Sequence, residues 1–328
     1  MPDSNVQEYI DTPASRLELA HFLRQTGDLP AGSCSWEERL AHWWDENPHA
    51  SMHPLRGYIV RDGGKMVGYG GAIPVSYSLD GQRIGALAAT TLRVNEGHVQ
   101  CGLGIMLRMR RLGEQVPFAH TTPVPKLRKV LHDMGAKVES HLVRRLVPIG
   151  TFSRLLPGGS GWPKLDPSMT VVTSVSDVTR LAEPALPRKG LEPFVSLESL
   201  CWQLTTPMHQ LHFIGAVDIT GTLYSCLILR RRERVMRAFT AWEVVQSWTA
   251  RNSAEEVQAL VGKLVRDPGL LGERLNWLSS TAFPEDRHWE GTPRLTEHQE
   301  EVCHYFLLPE SCREVKKLSM LAEGDLLL

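Results

Sequence analysis

Two glycines flanking one leucine, Gly102-Leu103-Gly104, stand between an apolar, β-branched run and the helical pattern Ile105–Val116. A helix beginning there presents unpaired backbone N–H groups and the positive end of its dipole at one point. Glycines remove the Cβ atoms that would hold an anion off, so the layout suits a phosphate, although a tight turn would use the same residues. Other groups that could do chemistry lie nearby. His120 ends a short strand pattern, and an imidazole with an ordinary pKa of about 6.5 suits proton transfer. Glu96, in the polar stretch before the glycines, could act through water or simply be solvated. Cys101 sits at a helix start, where a thiol is acidified, but no base adjoins it in sequence.

These residues need elements to position them. Ala86–Val94 reads as a strand, preceded by Gly57–Arg61, the tight turn Asp62-Gly63-Gly64 and Lys65–Gly71 as strand, turn and strand. After the glycines, Phe118–Thr122 reads as a strand broken by Pro123. Pro125–Met134 reads as a helix closed by Gly135, and Val138–Val147 as a further strand.

This order of elements resembles the GNAT superfamily of acyl-CoA N-acyltransferases over roughly Arg16–Ile149. The family's Arg/Gln-x-x-Gly-x-Gly/Ala motif is matched in part by Val99-Gln100-Cys101-Gly102-Leu103-Gly104, with Val99 at the basic or amide position and Gln100 one place on. The resemblance implies an acyl-CoA co-substrate, acetyl-CoA or another. Leu92 and Val94 would pair their backbone with the pantetheine arm. Val99, Gln100, Cys101, Gly102, Leu103, Gly104 and Ile105 would surround the pyrophosphate. Arg108, Arg110 and Arg111 would either meet the 3′-phosphate or form a solvated basic face. The tyrosine that often protonates the leaving thiolate falls at Leu131, and the acidic residue of the fourth strand at Thr91 or Thr90. With those groups replaced, His120, Glu96 and Thr91 are the catalytic candidates. Thr121 and Thr122 would orient an acceptor amine or simply satisfy strand edges. Trp43, in the aromatic helix pattern Ser35–Glu46, reads as core or as a wall of the acceptor pocket.

The 328 residues allow two domains with their own cores. Hydrophobic content of 42%, charge of 22% and net charge −1 are those of an ordinary soluble chain, giving no reason to expect nucleic acid as a partner. No apolar run reaches membrane-spanning length, and the first residues lack a signal-peptide pattern, so neither membrane nor export is expected. Six cysteines without C-x-x-C pairs read as reduced cytoplasmic thiols, and thirteen histidines show no ligand spacing, so no metal is inferred.

The Gly/Pro/Ser-rich stretch around Pro148–Pro167 reads as a connection. It divides a first module, 1–150, from a linker, 151–169, and a second half, 170–328. In that half Thr170–Val175, His212–Ile219, Leu223–Arg230, Arg237–Trp242 and Arg274–Ser279 are predicted strands. Asp177–Leu181 is a predicted helix start and Ala254–Arg266 a predicted helix, while Arg230–Arg234 reads as a solvated turn or as a contact to a phosphate or a partner. Trp202…Pro207 and the acidic tail Ala322–Leu326 resemble double-module bacterial GNAT proteins. Trp248–Ala254 stands where a glycine loop belongs, and such a degenerate module would hold pyrophosphate poorly.

The fold class expected is therefore α/β (α+β): two tandem GNAT-like modules, each a mixed, mostly antiparallel twisted sheet flanked by helices. The expected function is direct acyl transfer to a primary amine of a small molecule, an amino sugar by resemblance, in a monomer or homodimer. A non-catalytic acyl-CoA-binding scaffold and a protein-interaction module are the alternatives.

Overall fold

The computed structural model describes residues 6–27, 34–121, 123–138, 143–155, 161–184, 190–236, 239–251, 253–273, 275–282, 287–289, 292, 294, 296–299 and 305–313. The first half runs β1 (Val6–Glu8), α1 (Pro13–Thr26), α2 (Trp36–Trp44), β2 (Gly57–Asp62), β3 (Lys65–Leu79), β4 (Gln82–Val94), α3 (Val99–Gly113), β5 (Phe118–His120), α4 (Pro125–Asp133) and β6 (Lys137–Val138). Then come β7 (Val143–Pro148), β8 (Thr170–Val172), β9 (Arg180–Leu181), β10 (Leu191–Pro193), α5 (Leu197–Leu204), β11 (Leu211–Val217), β12 (Thr222–Met236) and β13 (Phe239–Thr249). The last elements are α6 (Ala254–Arg266), β14 (Trp277–Ala282), β15 (Thr296–Gln299) and β16 (Tyr305–Leu307).

Local chemistry accounts for most starts and stops. Capping boxes at Thr12/Ser15 and Ser35/Glu38 open α1 and α2, satisfying the orphan N–H groups of each first turn. Asp80 and Gly81, both at positive φ, make the two-residue turn of the β3–β4 hairpin. Gly70 lets α3 lie close on the sheet, because a Cβ there would come within 2.5 Å of Ile105.

Among the described residues the strands form two mixed, mostly antiparallel sheets, each of eight strands. The first has the order β1-β2-β3-β4-β5-β16-β6, with β10 on β3. The second has the order β15-β7-β14-β13-β12-β11-β8, with β9 on β12. The two sheets therefore trade strands. Strand β7 leaves the first half to pair with β14 and β15, and β16 comes from the far end of the chain to lie between β5 and β6. The predicted strand Val138–Val147 is accordingly two strands in different sheets.

Other expectations shift for local reasons. Helix α3 begins at Val99, so both glycines lie inside it rather than in a loop ahead of it. Ser174 caps only a short 3₁₀ turn, and Arg180–Leu181 then pairs with β12 instead of starting a helix. Strand β14 covers Trp277–Ala282, three residues later than predicted. Arg230–Arg232 is not a turn but the middle of the long strand β12, where cross-strand pairing holds it extended.

Each sheet carries its own core. Helix α3 and Leu131 of α4 cover one face of the first sheet with Ile105, Met106, Met109 and Phe118. Helices α1 and α2 cover the other with Leu19, Phe22, Leu40, Trp43, Tyr69 and Ile73. Helix α6 lies on the second sheet over Leu227, Leu229, Trp242 and Val244. The halves are joined by Trp202 of α5. Its ring stacks on His42 of α2, and its Nε1–H donates to the His42 carbonyl at 2.8 Å.

Candidate functional site

Strands β4 and β5 run parallel but pair at only two positions, Leu87 with Phe118 and Ala88 with Ala119. Strand β5 stops at His120, whereas β4 continues to Val94. The reason is written in β4. Its register against β3 jumps between Gly70/Leu92 and Gly71/Thr90, leaving Thr91 as the extra residue of a bulge. Thr91 has φ 40°, a conformation that a β-branched residue adopts only when its surroundings force it. A bulge sharpens strand twist and ends pairing, so the two strands fork. Beyond the fork, the outer edge of β4 through Leu92 and Val94 offers backbone donors and acceptors to an extended ligand.

Helix α3 starts a few residues after this edge, and its first N–H groups sit beside the fork. Its N-cap, His98, supplies no side-chain cap. Instead His98 stands 3.1 Å from Asp62, and its carbonyl accepts from the Cys101 N–H at 2.8 Å. Gly102 is buried against β4: a Cβ there would meet Val94 at 3.3 Å. The first turn also shows side chains outward, with Val99 77% and Leu103 47% exposed and Gln100 exposed beside them. Gly104 and Ile105 face the other way. Both are buried, and Ile105 is wholly enclosed over Gly68 and Gly70, which makes its side chain a helix-to-sheet anchor rather than a ligand contact.

His120 closes the fork. It is 4% exposed, its ring lies 5.1 Å from that of Phe118, and its Nε2 has no hydrogen-bond partner. Strand alternation puts it with Phe118 on the face covered by α3 and α4, whereas Ala119 faces Tyr77 and Phe306. Thr121, also buried, has an unpartnered Oγ1. A buried polar atom without a partner costs about 1–3 kcal/mol, so two of them at one fork mark a place where a partner can bind. Burial pushes the His120 pKa down to about 3, so its ring is neutral at physiological pH and a poor proton acceptor.

The other candidates separate. Thr90 and Thr91 share a hydrogen bond at 3.1 Å between their hydroxyls, at the bulge itself. Glu96 is an exposed loop residue past the end of β4. Cys101 is half-buried against the core under α3. Trp43 has no exposed surface at all. It packs beside Trp36 and under the Arg39 guanidinium, so a direct acceptor contact is replaced by a core role. Leu131 is wholly buried. Thr122 and the acidic tail Ala322–Leu326 lie outside the described residues.

What sequence reading missed is the cross-half contact. The exchanged strand β16 brings Tyr305 opposite His120, and nothing local in the sequence announces a pairing across so many residues.

Two buried histidines, His49 and His120, contribute to the response to acid. His49 lies 3.0 Å from Ser76 Oγ and 3.1 Å from Arg83, and burial with that guanidinium lowers its pKa to about 4. His49 and His120 are thus more acidic folded than unfolded. The stability they contribute is whole above about pH 6.5 and is lost as pH falls toward 4, each by about 1.4 kcal/mol per unit. Urea unfolding between pH 7 and 4.5 should show this slope, and His49→Gln should remove its share. An unchanged slope would contradict the burial of the ring.

No family model matches the sequence, and no curated protein is similar to it. Solved structures do match. A probable N-acyltransferase from Enterococcus faecalis aligns over 91% of this chain and 71% of its own, with TM-score 0.56 and 10% identity. A GCN5-related N-acetyltransferase from Anabaena variabilis aligns over 92% and 72%, with TM-score 0.56 and 11% identity. Eis1 from Mycobacterium abscessus aligns over 93% and 74%, with TM-score 0.53 and 13% identity. The chain has the GNAT fold. Among the described residues, no helix is long and apolar enough to cross a membrane.

Proposed function

We propose that this GNAT fold serves here as an acyl-CoA-dependent N-acyltransferase that passes an acyl group, acetyl in the simplest case, directly to a primary amine of a small molecule. The observation that carries the reading is the fork at Thr91, open beside the start of α3 and lined by unpartnered buried atoms. In this reading the pantetheine arm adds to the free edge of β4 through Leu92 and Val94. The pyrophosphate rests on the free amides that open α3, at Val99 and Gln100. Glycine at position 102 keeps that approach clear, and Gln100 offers an amide side chain at its rim.

The thioester would then lie between β4 and β5. A neutral amine attacks its carbonyl carbon, and backbone N–H groups at the bulge can hold the oxyanion. The C–S bond breaks as the amide forms, and the nitrogen's proton passes to solvent or to the departing sulfur. His120, on the α3/α4 face and neutral, is suited to donate its Nε2–H to that sulfur rather than to accept a proton. Thr121 is suited to orient the amine. Glu96 has no place in this scheme except through water.

A second reading, acyl-CoA binding without turnover, draws on Leu131, whose buried side chain cannot donate a proton. Thiol release separates the two. Acyl-CoA with an amine panel should liberate free thiol, and mass spectrometry of the denatured protein's supernatant should identify any co-purified thioester. Binding of coenzyme A with no thiol released on any amine would favour the scaffold, and no binding at all would reject both.

A further inference from the structure

The second sheet carries a cluster that the acyl-transfer scheme leaves unused. Glu243 of β13 is buried, 1% exposed, and Arg230, its cross-strand partner on β12, reaches it at 2.6 Å. Arg232, two residues on and on the same face, points its Nε at the same carboxylate oxygen from 3.5 Å. Arg144 of β7 approaches the other oxygen at 3.8 Å. One guanidinium suffices to neutralise a buried carboxylate, and a second cation beside it is repelled by the first. Arg230 and Arg232 pair with no carboxylate other than Glu243 among the described residues. The carboxylate is sealed inside, whereas the Arg230 and Arg232 side chains keep 15% and 31% of their surface open.

The position of this cationic face is specific. It lies on the side of the second sheet away from α6, where Leu227, Leu229 and Trp242 are packed. Arg230 is 3.5 Å from His209, and the adjoining Met208 touches Cys34 at 3.4 Å, just before α2. At the other end of the α1–α2 connection, a Cβ on Gly27 would come 2.7 Å from the Arg93 guanidinium on the forked part of β4. Gly27 thus stands against the forked strand β4, and Cys34 against the segment that reaches Arg230.

We propose that the acceptor is an amine that also carries an anionic group, a carboxylate or a phosphate, which Arg230 and Arg232 hold while the amine reaches the fork. The proposal rests on the acyltransferase reading. A guanidinium fork donates bidentately to two oxygens of either group, and the excess positive charge is then balanced by substrate.

The test compares thiol release on matched acceptors: amino acids against their amides, and a phosphorylated amino sugar against the free amino sugar. The anionic member of at least one pair should show kcat/KM about 10- to 100-fold higher, carried by KM. Arg232→Gln should bring that ratio toward one, and Arg232→Lys should restore part of it. Which pair discriminates identifies carboxylate or phosphate. Equal turnover within both pairs, or an unchanged ratio in Arg232→Gln, would overturn the proposal. If no amine is acylated, the transferase reading fails by itself. Calorimetric titration with the same anionic amines then decides the site, with binding lost in Arg232→Gln supporting it and no binding refuting it.

Discussion

Gly102→Glu should abolish coenzyme A binding and leave the protein folded. Gly102 is the fourth residue of α3, and a Cβ there meets only a methyl of Val94, at 3.3 Å. The side chain of Val94 can give by the few tenths of an ångström required. Replacing glycine inside a helix gains up to about 1 kcal/mol in propensity, and an acidic residue in the first turn gains about 0.3–1 kcal/mol against the dipole. Stability should therefore change little. Binding should not survive, because the new carboxylate occupies the amides proposed for the pyrophosphate. Two like charges about 4 Å apart near a surface repel by about 4 kcal/mol, which is several hundredfold or more in affinity. Coenzyme A at a hundred times its Kd should stabilise the parent by about 2.7 kcal/mol, read as a rise in Tm, and the variant by nothing. A variant that still binds would place the phosphates elsewhere.

His120→Ala should lower kcat by about 10²–10³-fold, the cost of removing one well-placed hydrogen-bond donor from a transition state. Coenzyme A affinity should stay within about threefold if the ring acts on the sulfur rather than on binding. The informative companion is His120→Gln, which keeps an N–H donor but cannot act as a base. Under the proposed role it retains most of the rate lost by the alanine variant. Because burial holds the His120 pKa at about 3, kcat between pH 5.5 and 7.5 should also show no ionisation belonging to this ring. Equal losses in both variants, together with a parent inflection near pH 6.5 that both abolish, would make His120 a proton carrier instead. Tm measured on both variants separates a chemical defect from a packing one, since the ring fills space beside Phe118.

The two substitutions probe opposite ends of the proposed ligand path. Thr91 lies between them. A β-branched residue held at φ 40° is costly, yet without the extra residue β4 and β5 could continue to pair and the edge beyond Ala88 would be consumed by the sheet. Backbone strain here buys an opening.

How much of this was legible in the chain differs from residue to residue. The hairpin from Gly57 to Gly71, the strand Ala86–Val94, the helical pattern after Gly104 and the Ala254–Arg266 helix follow from periodicity and turn chemistry, which act over a few residues. The glycines at 102 and 104 announced a close approach to a helix start, but not that the helix would already contain them. The aromatic periodicity of Trp36, Trp43 and Trp44 was equally visible. It could not say whether Trp43 faces a pocket or a core, because both select the same residue types.

Sequence by itself determined the kind and order of most elements and placed a histidine at the end of β5. Tertiary structure alone decided that β7 and β16 change places between sheets, that Thr91 bulges and that His120 loses its charge. It also decided that Arg230 and Arg232 converge on a sealed Glu243. The division has one physical cause. Dihedral preference, capping and apolar period are set by neighbours along the chain, whereas strand partners, desolvation and charge clusters depend on residues that only the folded chain brings together.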